Sequence, residues 1–101
     1  MKANKNAADL ARNAQRAEDM LKQLAHAGRL RLLCSLVDGE KSAGELTAIA
    51  GLSQSAVSQH LKKLRDAGLV AADRRGQMII YRLDNPEARA LLRALYRIYC
   101  G

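Results

Sequence analysis

Gln54, Ser55, Ser58, Gln59 and Lys62 carry the most pointed chemistry in the chain, because at about 100° per residue a helix brings them together on one side. That chemistry is hydrogen bonding. Two amides, two hydroxyls and a cation stand there with no carboxylate until Asp66. In a major groove a Gln amide pairs with adenine, a Ser hydroxyl serves several bases, and a Lys meets phosphate. A plain solvated face is the competing reading, since Ser and Gln are common on surfaces. Opposite the polar face, Val57, Leu61 and Leu64 recur at i, i+4 and i+7, a stripe that fixes the helix to a core. Ser53 suits the N-cap, Leu52 before it can staple onto Val57, and Gly68 supplies the stop.

The elements around this helix must position it. Ser42 with Glu45 three residues on forms a capping box, and Leu46, Ile49 and Ala50 give the helix it opens an apolar side up to Gly51. Residues 42–67 therefore read as helix, tight turn, helix. After Gly68 the period becomes two. Strands over 69–74 and 78–83 flank Arg75-Gly76-Gln77, placing Ile79, Tyr81 and Leu83 inward and Arg74, Arg75, Gln77 and Arg82 outward. Such a wing can reach phosphates or a minor groove. Upstream, residues 1–6 show no pattern and read as disordered. The first helix carries a heptad-like seam of Leu10, Ala14, Ala17, Leu21 and Leu24, which predicts a dimer contact. The second, from about Gly28 to Val37, turns Leu30, Leu33, Cys34 and Val37 inward. Asp84 or Asn85 caps the last helix ahead of Pro86 and Glu87. Its apolar residues, Ala88, Leu91, Leu92, Leu95, Tyr96, Ile98 and Tyr99, cover more than one stripe, enough for its own core and a second subunit. Residues 7–101 thus form one domain, mainly α with a small β-hairpin: four helices, the wing, and a fifth helix.

Composition narrows the function. Seventeen Lys and Arg against ten Asp and Glu give a net charge of +7 over 101 residues, which favours a polyanionic partner. No apolar run is long enough to span a membrane, and the N-terminus does not lead into a secretory segment, so the cytoplasm is expected. Two distant cysteines do not make a secreted disulfide scaffold. No Ser, His and acid constellation, Cys-x-x-Cys pair or Gly-rich phosphate loop appears, so neither an enzyme nor a cofactor is expected. His60 projects beside the apolar stripe and reads as structural, and His26 gives no sharper signal. A protein-interaction module on the same fold is the rival class.

The helical run with its wing, together with Leu52-Ser53-Gln54-Ser55-Ala56-Val57-Ser58-Gln59-His60-Leu61, then Leu64-Arg65 and Gly68-Leu69-Val70, resembles the ArsR/SmtB winged helix-turn-helix repressors. The resemblance runs from about residue 8 to the end. It implies a homodimer built on the first and last helices, bound to an imperfect palindrome in promoter DNA and released by an effector. It also implies base and phosphate reading by Gln54, Ser55, Ser58 and Gln59. Within the family the chain is most similar to the dithiol branch of BigR, SqrR and HlyU. Cys34 in Leu32-Leu33-Cys34-Ser35-Leu36 and Cys100 in Tyr99-Cys100-Gly101 stand where that branch carries its two thiols. The branch implies that reactive sulfur species or an oxidant link Cys34 to Cys100, by a disulfide or a polysulfide, and release the DNA. The metal-sensing branches need ligands missing here: residues 45–49 hold no Cys and residues 84–101 no His. No metal site is expected, although two thiols with an outside ligand leave a soft-ion sensor open.

Physical chemistry leaves both thiols with alternatives. Cys34 on an inward face reads, on the residues alone, first as a plain core cysteine. Cys100 sits at a helix C-terminus, where the dipole disfavours a thiolate. Arg31 and Arg97, one turn before Cys34 and Cys100, would offset this if they point toward the sulfurs. A direct disulfide needs Cα atoms about 4.4–6.8 Å apart, and a wider gap favours a polysulfide.

Overall fold

The computed structural model describes residues 7–100, so the expected disorder over 1–6 lies outside the described residues. The chain runs α1 (Ala7–Leu24), α2 (Ala27–Ser35), β1 (Lys41–Ser42), α3 (Ala43–Ala50), α4 (Gln54–Asp66), β2 (Val70–Arg75), β3 (Met78–Leu83) and α5 (Pro86–Tyr99). All five expected helices are present. The wing belongs to a three-stranded antiparallel sheet in the order β1-β3-β2, with Ser42 opposite Ile80 and Val70 opposite Leu83.

Local chemistry sets the helix starts. Ser42 Oγ accepts from Glu45 N at 3.1 Å while Glu45 Oε1 accepts from Ser42 N at 2.9 Å, completing the capping box of α3. Ser53 Oγ accepts from Ala56 N to cap α4, and Asn85, rather than Asp84, caps α5 through Ala88 N at 2.9 Å. Gly51, at φ 66°, makes the left-handed turn between α3 and α4 that a side-chain-bearing residue adopts at a cost.

The core gathers Leu32, Leu33 and Leu36 of the α2 region, Leu46 and Ala50 of α3, Val57, Leu61 and Leu64 of α4, and Ala88 and Leu92 of α5, with Leu69, Val70, Tyr81 and Leu83 beneath them. Three expectations shift. α2 ends at Ser35, and its most buried residues are Leu32 and Leu33, so Cys34 and Val37 lie at the margin of the packed face. Arg75 belongs to β2, leaving Gly76-Gln77 as a two-residue turn with Gly76 at φ 64°. Ile79 is 42% exposed, whereas Ile80 is 8% exposed. Tyr81 and Leu83 do face the core. Ile79 shares their side but lies beyond the core's edge, while Ile80, in the central strand, is flanked by Ser42 and Asp73.

α1 stands apart. Leu24 is its one buried residue, and Leu10 and Leu21 are exposed, as are Leu91, Tyr96, Ile98 and Tyr99 of α5. An open groove of about 1070 Å³ lies between α1 and α5, lined by Leu10, Leu21, Leu69 and Leu91 among others. Arg16 pairs with Glu87 across its wall at 3.3 Å.

Candidate nucleic-acid interface and thiol pair

α4 is seated by Val57, Leu61 and Leu64, and it leaves Gln54, Ser55, Ser58, Gln59 and Lys62 exposed along one face. Lys62 Nζ is 3.4 Å from Asp66 Oδ2, a solvent-exposed pair that contributes little and separates readily. Arg31 Nη1 donates to Ala50 O at 3.0 Å, tying α2 to the last residue of α3, just before the turn into α4. The guanidinium expected to favour the Cys34 thiolate is therefore committed to a carbonyl of α3.

On the wing, Arg74 and Gln77 are exposed at the hairpin end, Arg74 Nε donating to Gly76 O at 3.4 Å. Arg75 is differently placed. Its two terminal nitrogens donate to the two carboxylate oxygens of Glu40, the Nη2 bond measuring 3.0 Å. This forked pair holds the Glu40 carboxyl below the usual carboxylate range and pushes the Arg75 guanidinium up. Arg82 forms an ion pair with Asp73 beside it. Of the wing cations expected to meet phosphate, Arg75 is thus engaged within the fold. Glu40 escaped sequence reasoning because its partner is identified only once β1 is seen to join the sheet.

His26 was equally silent in the sequence. Its Nδ1 accepts from Gly28 N at 3.0 Å and Arg29 N at 3.3 Å, capping α2, and its ring centroid lies 4.7 Å from that of His60 on α4. His60 is partly buried, and burial, followed by the neighbouring His26, Arg29 and Lys63, lowers its proton affinity.

Cys34 lies in the last turn of α2, half-buried, and Cys100 terminates α5, exposed; both are free thiols. α5 is held against the α2 region by Leu92 and Ala88 and by Arg89 Nη1, which donates to Val37 O at 3.2 Å. Burial pushes the Cys34 thiol up, and the charge of Cys100 pushes it further. Among the described residues no group of three or more His, Cys, Asp or Glu is arranged to hold a metal, and no helix is long and apolar enough to cross a membrane.

The chain's relatives share this arrangement of helices and wing. A family described as "Bacterial regulatory protein, arsR family" matches residues 26–72. The transcriptional activator HlyU of Vibrio cholerae is 42% identical over 95 residues, covering 94% of this chain and 88% of that protein. The solved structure of reduced HlyU from Vibrio cholerae superposes with a TM-score of 0.89 over 92% of this chain and 98% of that one, at 42% identity. The transcriptional repressor BigR from Xylella fastidiosa superposes with a TM-score of 0.85 at 40% identity, over 96% and 99% of the two chains. With a helix-turn-helix, a wing and this likeness along nearly its whole length, the chain belongs to the arsR family of bacterial regulatory proteins.

Proposed function

We propose that this protein is a cytoplasmic, homodimeric repressor that binds an imperfect palindrome in promoter DNA and lets go when Cys34 and Cys100 become linked. The observation that carries the reading is the placement of a half-buried thiol in the last turn of α2 and an exposed thiol at the end of α5, two elements packed on each other. Gln54, Ser55, Ser58 and Gln59 are the base and phosphate readers, with Lys62, Arg74 and Gln77 beside them. The exposed apolar faces of α1 and α5 supply the subunit contact, because a monomer leaving Leu10, Leu21, Leu91, Tyr96 and Ile98 in water would lose their burial energy. Two subunits then present two α4 helices to successive major grooves, about 34 Å apart.

The chemistry balances with either effector. Peroxide oxidises one thiolate to a sulfenic acid, and the second thiol displaces water from it to close a disulfide. With an organic persulfide, each thiolate takes up a sulfane sulfur and releases the donor thiol. One protein persulfide then attacks the other, leaving a three-sulfur bridge and expelling hydrogen sulfide. Either bridge would pull α5 against α2, and a bias of about 1.4 kcal/mol toward the poor-binding form lowers DNA affinity tenfold. That one relative's structure is of its reduced form fits a redox-responsive pair. Repression is favoured by BigR, whereas HlyU is an activator, so the sign of regulation is part of the test.

Mass spectrometry of the reduced protein after persulfide or peroxide treatment, with each product tested on promoter DNA, decides among effectors. A bridge that gains sulfur only with persulfide and frees the DNA establishes a sulfur-specific switch. A plain disulfide with either reagent makes the protein a general oxidant sensor. Thiols that stay unlinked, with DNA binding unaltered, remove the dithiol reading and direct the search to soft metals.

A further inference from the structure

We propose that His26 and His60 form a proton-operated latch holding the reading helix α4 against α2, so that acid weakens the protein's grip on DNA. The latch has two sides. On one, the neutral His26 ring accepts two backbone N–H groups at the start of α2, from Gly28 at 3.0 Å and Arg29 at 3.3 Å. An imidazolium has no acceptor, so protonation abolishes the cap and sets a positive charge against the positive end of the helix. On the other side, the His26 ring lies tilted against the His60 ring, centroids 4.7 Å apart.

The fit around the ring is close. A Cβ on Gly28 would stand 3.0 Å from His26 Cε1 and 3.1 Å from Leu52 Cδ1, so the ring and Leu52 crowd against a backbone that only glycine leaves bare. Leu52 precedes the N-cap of α4, which makes the notch a second contact between α2 and the reading helix.

The surrounding charges give the latch its sign. Burial is the first cause that weakens proton binding at His60, and the titratable or charged groups acting on it are His26 and Arg29 from the start of α2 and Lys63 from its own helix, with no carboxylate among them. Arg29 is steadied by Gln23 of α1 at 3.3 Å. A proton on His60 therefore meets cations and no compensating carboxylate. His60 binds its proton more weakly than an ordinary histidine, whose value is 6.5, so its contribution to the folded contact is complete above that value and is lost as pH falls below it. A histidine with no such role would act oppositely: protonation adds charge to a chain already at +7 and strengthens attraction to DNA.

The inference rests on α4 being the helix that meets DNA, and the test separates the two ideas. A duplex enriched from a random pool at about pH 7.5 serves as probe, with affinity for the reduced protein followed to about pH 5.5. In parallel, amide-exchange protection factors are measured at Gly28 and Arg29. The expected result is affinity about tenfold weaker at the acid end, with falling protection at both amides. His26→Asn, whose amide oxygen caps without titrating, loses most of that dependence, and so does His60→Gln, which answers the question if the first variant fails to fold. Affinity that holds or rises in acid while protection falls overturns the link to DNA reading. Protection that does not change, or variants that keep the full pH dependence, overturn the latch itself.

Discussion

Arg75 of β2 reaches across the central strand β3 to Glu40, which precedes β1, and the forked pair fastens the two outer strands of the sheet together. The pair is exposed, so a phosphate would have to compete with Glu40, and with Asp73 at 3.8 Å, for this cation.

Removing the carboxylate tests that consequence. Glu40→Gln should leave the guanidinium only the exposed Asp73 carboxylate 3.8 Å away, raise affinity for DNA of any sequence, and steepen the dependence of log K on log salt by up to about 0.9, the increment for one phosphate contact. Arg75→Ala should change the slope little in the native background and abolish the gain in the Glu40→Gln background. Titration of a fluorescent duplex at several salt concentrations gives all four values. A marked loss of slope in Arg75→Ala alone would show that Arg75 already contacts phosphate in the complex.

The thiols make a separate prediction. Burial and Cys100 together raise Cys34 above its ordinary value of 9.0, so the midpoint of its alkylation rate against pH should lie higher than that. Cys100→Ser removes the negative neighbour and should lower the midpoint, which stays above the ordinary value because burial is the larger cause. Iodoacetamide labelling followed by mass spectrometry reads both. A midpoint unmoved by Cys100→Ser would mean that the sulfurs do not act on each other in solution.

Charge placed in the apolar groove should separate the subunits. Leu91→Glu or Leu21→Glu would bury an unpaired carboxylate in the proposed dimer contact, costing several kcal/mol per site. Light scattering should then report monomers at micromolar concentration. A dimer that persists in both variants places the contact elsewhere.

Gly28→Ala inverts a general rule. In an exposed helix the change stabilises by about 1 kcal/mol. Here the new methyl meets His26 and Leu52 at about van der Waals overlap, and a loss of about 1–3 kcal/mol is expected from overpacking. Urea denaturation measures the sign, and a stabilised variant would show that His26 and Leu52 give way to the methyl.

Much of this arrangement was legible in the sequence because its cues are local. Ser42 and Glu45, Ser53, Asn85 and Pro86 announce helix starts within four residues, and Val57, Leu61 and Leu64 repeat at a period that one helix imposes. The polar face of α4 is legible for the same reason. What escaped depends on residues distant in the chain. Glu40 meets Arg75, His26 meets His60, and Arg31 turns to Ala50 rather than to Cys34, each pairing being created by tertiary packing. β1 is not legible in the sequence because two residues, Lys41 and Ser42, carry no periodicity, and Ser42 reads fully as a cap. Ile79 and Ile80 exchanged places because alternation gives the side a residue faces and not where the core beneath it ends.

Pairing of β1 with β3 has a kinetic consequence. Ser42 lies opposite Ile80, so the helix-turn-helix is a loop whose two ends are joined by strand hydrogen bonds. Closing a long loop costs entropy before its contacts can compensate, and contacts between residues far apart in sequence slow folding. A nascent chain stopped before Met78 has no partner for Lys41 and Ser42, so α4 should reach its final seat only after the wing has been synthesised. The wing thereby sets the order of assembly, and truncations that spare α4 while deleting β3 should leave it without its native support.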